Sequence, residues 1–92
     1  MKSAAKNLKA RFEQAQQDVR TLSRRPRNED LLSLYSLFKQ GSAGDVAGSR
    51  PGFLDLVGRA KFDAWAKLKG TAPEAAMQSY IDKVAALLKT HK

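Results

Sequence analysis

The chain predicts an all-α fold, a bundle of four helices, and three observations carry that expectation. Apolar residues recur at spacings of three and four in four separate stretches. No stretch alternates apolar with polar residues as a half-buried strand would. Breakers at Pro26, in the glycine-rich run 41–55 and at Gly70 divide the stretches from one another. No internal repeat is visible.

The first helix is predicted from about Leu8 to Leu22, with Leu8, Phe12, Ala15, Val19 and Leu22 forming one apolar stripe. Pro26 ends it, and Arg24, Arg25 and Arg27 form a solvated basic connection. Asn28 is a good cap for the second helix, with Glu29 and Asp30 in its positive first turn. This helix carries Leu31, Leu34, Tyr35 and Phe38 and stops near Gly41. Residues 41–55 hold four glycines and a proline, so they form a loop. In so small a domain a loop of that length is functional or packed on itself. The third helix spans roughly Leu56 to Lys69, with Val57, Ala60, Ala64, Trp65 and Leu68 facing inward and Gly70 as its stop. Thr71 and Glu74 have capping-box spacing, and Pro73 is tolerable in the first turn. The last helix is expected to bury Met77, Ile81, Val84 and Leu88 and to end near His91.

Ninety-two residues suit a single domain, 1–92, with a modest core. The absence of cysteine excludes disulfides, thiolate metal sites and cysteine nucleophiles. His91, the only histidine, lies in the last turn, where fraying is expected and no catalytic or ligand role follows. Asp45, Asp55 and Asp63 read as turn residues and ion-pair partners. With no metal-ligand cluster and no histidine in a pocket, an enzyme is not expected. The longest apolar runs are a few residues, too short to span a bilayer. Lys2 and Lys6 stand among small and polar residues, without the apolar stretch of a secretory signal, so a cytoplasmic location is the default expectation. The net charge of +8 favours an anionic partner: nucleic acid, acidic membrane surface or a phosphate-bearing small molecule. A small basic helical nucleic-acid-binding module is thus the alternative reading. Against it, the basic residues are spread along the chain and no recognition-helix pattern occurs.

The run from Tyr35 to Trp65 is the most specific signal. Tyr35 and Lys39 lie four residues apart on one helix face, and Lys61 and Trp65 repeat that spacing beyond the loop. Two cations and several rings framing one loop suit an anion that also carries a flat heterocycle. The Tyr35, Lys39, Gln40 spacing is followed by Gly44-Asp45 and Arg50-Pro51-Gly52. Then come Lys61 to Trp65, Leu68-Lys69-Gly70-Thr71 and Ala76, Met77, Tyr80, Ile81 and Asp82. In this order the residues resemble the acyl-CoA-binding protein family, from about Phe12 to Leu88 without a gap. The resemblance implies an up-down-down-up four-helix fold with the long loop crossing between helices two and three. It also implies a monomeric carrier of long-chain acyl-CoA, without catalysis or cofactor, that makes transient contacts with acyl-CoA-using enzymes or an anionic membrane surface.

By that resemblance, Tyr35, Lys39 and Lys61 fall where the family binds the ribose 3′-phosphate, a dianion that wants charge-assisted donors from several directions. Phe38 falls where a tyrosine usually stacks on adenine; it keeps the π face and loses the hydroxyl. Arg20 replaces the usual lysine of helix one and is expected on phosphate oxygens. Tyr80 falls near the adenine and ribose, while Ser36 and Leu37 lie within the same ligand-binding stretch as Tyr35 and Phe38. Ala15, Val19, Leu31 and Leu32 fall at or near positions bordering the acyl chain. Phe62 stands where a tryptophan is common. Trp65 is expected to pack in the core.

Overall fold

A computed structural model describes residues 4–91, and side-chain surroundings from residue 7 onward. Four helices account for the chain: α1 (Ala4–Asp18), α2 (Asn28–Ala43), α3 (Leu56–Ala66) and α4 (Pro73–Thr90). There is no strand among the described residues.

Several ends differ from the sequence expectation, each for a local reason. After Asp18 the first helix tightens into a 3₁₀ turn, Val19–Thr21, and Leu22 is already extended (φ −62°, ψ 133°). The break therefore comes at Leu22 rather than Pro26. The Thr21 hydroxyl donates to the Asp18 carbonyl at 2.7 Å, an alternative to continued α-helix. Asn28 is the first residue of α2, not its cap; Arg27 holds that position without a side-chain bond. Asn28 Oδ1 instead accepts from Arg25 Nη1 at 3.2 Å. The helix runs past Gly41 to Ala43, where Gly44 (φ 81°) turns the chain out. Gly41 serves packing instead: a Cβ there would lie 3.1 Å from both the Phe12 ring and Met77 Cγ.

Helix α3 is capped by Asp55, whose carboxylate accepts from the Gly58 amide at 2.9 Å. It ends at Ala66, three residues before Lys69, and hydrogen-bonded turns carry the chain to Thr71. Val57, expected inward, is exposed. The Thr71–Glu74 capping box does not form, because Ala72 occupies the cap position and Pro73 opens α4 with its fixed φ. The buried face of α4 is Ala76, Tyr80, Val84 and Leu87, with Met77, Ile81 and Leu88 only partly buried beside it.

Cross-helix contacts give the topology. Phe12 meets Tyr80, and Ser23 meets His91, so α1 and α4 run parallel. Asp30 meets Lys83 at one end and Gln40 meets Thr71 at the other, so α2 opposes α4. Tyr35 meets Lys61, and Gly44 meets Trp65, so α3 runs parallel to α2. The order is up-down-down-up, and two consecutive parallel helices require the long crossover of residues 44–55. Helix α4 packs between α1 and α2, and α3 packs on α2. The resulting body is flat, 47 × 32 × 15 Å.

Phe12, Ala15, Leu34, Tyr80, Val84 and Leu87 form the core. Phe12 stacks on Phe38 at 6.2 Å and meets Tyr80 edge-on at 5.2 Å between ring centroids, an arrangement that aromatic quadrupoles favour. The end of α4 is tied down rather than frayed. The His91 carbonyl accepts from the Ser23 and Arg24 amides at 3.0 and 3.3 Å, and the Arg24 guanidinium donates to the Thr90 carbonyl.

Candidate functional site

The crossover loop is fixed at both ends by polar groups. Gln40, fully buried, donates through Nε2 to Asp45 Oδ1 at 2.9 Å and to the Thr71 carbonyl at 2.8 Å. Asp45 Oδ1 also accepts from the Gly70 amide at 2.9 Å, so one carboxylate joins the loop to the α3–α4 turn. Trp65 Nε1 donates to the Gly44 carbonyl at 2.8 Å. Further along, Arg50 grips Asp63 with two parallel bonds of 2.9 and 2.7 Å. The Gly70 amide and then Gln40 hold the Asp45 carboxyl below its usual range, and the Arg50 guanidinium does the same for Asp63.

This frame leaves an open, largely apolar cleft of about 800 Å³. One wall is the α2 stripe Asn28, Leu31, Leu32, Tyr35 and Phe38, recurring at helical spacing. Val19, Leu22, Arg25 and Pro26 close it from the α1–α2 connection, and Leu56, Val57, Ala60 and Lys61 from α3. Tyr80 reaches it from α4.

Two cations bridge α2 and α3 in reciprocal fashion. Lys61 Nζ of α3 lies 5.3 Å from the Tyr35 ring centroid on α2. Lys39 Nζ of α2 lies 4.7 Å from the Trp65 ring centroid on α3. Each ammonium is held against a π face while its N–H donors remain usable. Burial pushes the Tyr80 phenol up, and the positive charge of Arg20 partly opposes the rise; the hydroxyl is therefore a neutral donor at physiological pH.

Of the ten candidate residues, Leu32, Tyr35, Phe38, Lys61 and Tyr80 line the cleft. Arg20 is exposed on the 3₁₀ turn, within electrostatic reach of Tyr80. Lys39 lies in the α2–α3 seam over Trp65. The other three stand behind the wall. Ala15 is buried in the core and borders a separate hollow of about 210 Å³ between α1 and α4. Ser36 is buried and donates to the Ser33 carbonyl at 2.9 Å, and Leu37 packs against the core.

Sequence reasoning missed Arg25, Pro26 and Asn28 as wall residues, having read them as a solvated connection, a breaker and a cap. It also placed Val57 in the core. A signal was present: Phe53, Leu54, Leu56 and Val57 form an apolar run broken only by Asp55, at a loop-to-helix junction. Among the described residues no group of three or more His, Cys, Asp or Glu could hold a metal ion. The arrangement suits an amphiphile, with an apolar tail along α2 and an anionic, aromatic head near Tyr35, Phe38 and Lys61.

Comparison with known proteins agrees with this chemistry. The family model described as acyl CoA binding protein matches residues 9–84. An acyl-CoA-binding protein homolog of Manduca sexta is 52% identical over 83 residues, covering 89% of this chain and 92% of that protein. The acyl-CoA-binding domain-containing protein 6 of Arabidopsis thaliana is 49% identical over 82 residues, 89% of each chain. The crystal structure of Oryza sativa acyl-CoA-binding protein 2 superposes with a TM-score of 0.86 at 42% identity, covering 90% of both chains. That of the Moniliophthora perniciosa protein superposes at 0.83 and 41% identity, over 88% of this chain and 80% of the other.

Proposed function

The chain belongs to the acyl-CoA-binding protein family, and from that premise we propose how its cleft divides the ligand between apolar and ionic contacts. It binds long-chain acyl-CoA esters and serves as their carrier; nothing supports the nucleic-acid alternative. The acyl chain lies along Leu31, Leu32, Val19 and Leu22, where each buried CH₂ contributes roughly 0.8 kcal/mol. The 3′-phosphate is held by Lys61, Lys39 and the Tyr35 hydroxyl, with Arg20 on further phosphate oxygens. Adenine stacks on Phe38, and Tyr80 donates nearby. Ser36 and Leu37 act from behind, holding the backbone of the Tyr35–Lys39 stretch, and Ala15 supports the acyl-side wall from the core. The observation that carries this reading is one cleft with an aliphatic wall and a cation seated over Tyr35.

A carrier needs to exclude water from the thioester rather than activate it, so no catalytic activity is assigned. Among the described residues no helix is long and apolar enough to cross a membrane. A monomeric single domain, 1–92, in the cytoplasm fits a shuttle that makes transient contact with acyl-CoA-using enzymes or an anionic membrane surface. Calorimetric titration with palmitoyl-CoA, free palmitate and a short DNA duplex tests the reading. Palmitoyl-CoA should bind tightest. A preference for the duplex, falling steeply with salt, would refute it.

A further inference from the structure

We propose that Ser23, between α1 and α2, is a phosphorylation site for a serine kinase with an acidic substrate groove, and that phosphate there weakens the hold on cargo. The consequence for cargo rests on the carrier reading; the modification itself does not. Ser23 is exposed in the stretch 22–27, which has no regular structure, and Leu22 before it is extended (φ −62°, ψ 133°). Arg20 stands three residues before Ser23, and Arg24, Arg25 and Arg27 follow it, all exposed. Kinases discriminate by the charge pattern around the hydroxyl, so bases on both sides select an acidic groove. The other described serines lack this setting. Ser33, Ser36 and Ser79 lie within helices, and the Ser42 hydroxyl donates to the Phe38 carbonyl at 2.6 Å. Ser49 is exposed in the crossover, but Arg50, the one base within three residues, is already bound to Asp63.

In the transfer, the Ser23 Oγ bonds to the γ-phosphorus of a nucleoside triphosphate and the bond from that phosphorus to the bridging oxygen breaks. The nucleoside diphosphate leaves, and the hydroxyl proton passes to the carboxylate base of the kinase. The new dianion lands on the knot that ties this connection to the end of α4. The His91 carbonyl accepts from the Ser23 and Arg24 amides, and the Arg24 guanidinium donates to the Thr90 carbonyl. A phosphate there faces the negative end of α4 and competes with Thr90 for Arg24. It also draws on Arg20, the side chain proposed to serve the phosphates of the ligand. Asp18 and Glu29 oppose the basic group from the flanking helices, and Asp30 is paired with Lys83. The same connection supplies Leu22, Arg25 and Pro26 to the cleft. Loosening its tie to α4 therefore shifts the cleft wall while the charge of Arg20 is diverted, and both effects favour release.

The test incubates the full chain with MgATP and the catalytic domain of protein kinase C, a kinase that accepts bases on both sides of its serine. Mass spectrometry should map the phosphate to Ser23, with none entering that position in Ser23→Ala and slower entry in Arg20→Gln. By calorimetry, Ser23→Ala should bind palmitoyl-CoA within about twofold of the parent, as a surface change does. The phosphoprotein should bind roughly tenfold more weakly than the parent, an ordinary coupling between two sites. No phosphate on Ser23, equal entry in Arg20→Gln, or full affinity in the phosphoprotein would overturn the proposal. Titration of the unmodified parent tests the carrier reading by itself, so the two failures give different results.

Discussion

The Lys61 ammonium lies 5.3 Å from the centroid of the Tyr35 ring, joining α3 to α2 at the wall of the cleft. The contact holds a long, flexible side chain near one place before ligand arrives, which would reduce the ordering cost of the phosphate contact proposed for Lys61. Lys61→Met keeps an aliphatic stem and removes the charge. It should weaken palmitoyl-CoA by about 1.5–3 kcal/mol, the size of a charged hydrogen bond, as read by calorimetry. Unchanged affinity would remove Lys61 from the site.

Lys39 makes the mirror contact from the opposite helix, with Trp65 as its platform, and is proposed to serve the same phosphate. Lys39→Ala should also cost about 1.5–3 kcal/mol in ligand affinity. Loss of the cation–π contact should lower folding stability by only about 0.5–1 kcal/mol in urea denaturation. A large stability loss with normal affinity would make Lys39 a structural residue.

Phe38 joins cleft and core, since it lines the cleft and stacks on Phe12. Phe38→Tyr should bind palmitoyl-CoA as well as the parent or modestly better. Phe38→Ala should lose about 1–3 kcal/mol of stacking, by analogy with bases on aromatic platforms. It should also lose about 3 kcal/mol of stability, the low end for a Phe→Ala change, because the ring is only partly buried. Normal affinity in a folded Phe38→Ala protein would place the adenine elsewhere.

Three carboxyls sit below their usual value of 3.8: Asp30 through the Lys83 hydrogen bond, Asp45 through the Gly70 amide, and Asp63 through Arg50. A lowered folded value means that the unfolded chain binds more protons near that pH. These contacts therefore stabilise fully above 3.8 and lose their contribution as pH falls through the lowered folded values. Thermal midpoints should be flat from neutrality to about pH 5 and drop below about pH 4. Asp45→Asn should flatten part of that drop, since it cannot titrate. An identical acid profile in Asp45→Asn would show that this carboxylate contributes nothing to it.

The number of helices was legible because period-three-and-four stripes survive wherever they end up packing. Helix ends were less legible. Asn28 lost the cap to Arg27 because the extended backbone (ψ 159°) falls at Arg27, one residue before the good capping side chain. The buried face of α4 turned toward Ala76, Tyr80 and Leu87 because the helix is sandwiched between α1 and α2. A one-sided stripe could not foretell that. Tyr35 and Lys61 stood out through their helical spacing from Lys39 and Trp65, and Phe38 through the family resemblance, whereas Arg25 and Pro26 reach the cleft only through the tertiary path of their connection. That path depends on His91, whose carbonyl holds Ser23 and Arg24 from the far end of the sequence.

The most direct test of the account compares palmitoyl-CoA with palmitoyl-dephospho-CoA, which keeps the acyl chain and adenine and lacks only the 3′-phosphate. On the proposed site, removing that group deletes several charge-assisted contacts and leaves Lys39 and Lys61 without their partner. Calorimetry should find the dephospho ester clearly weaker than palmitoyl-CoA, and free palmitate weaker still. The difference between the two esters should shrink in Lys61→Met. Equal affinities for the two esters in the parent protein would contradict the phosphate site at Tyr35, Lys39 and Lys61.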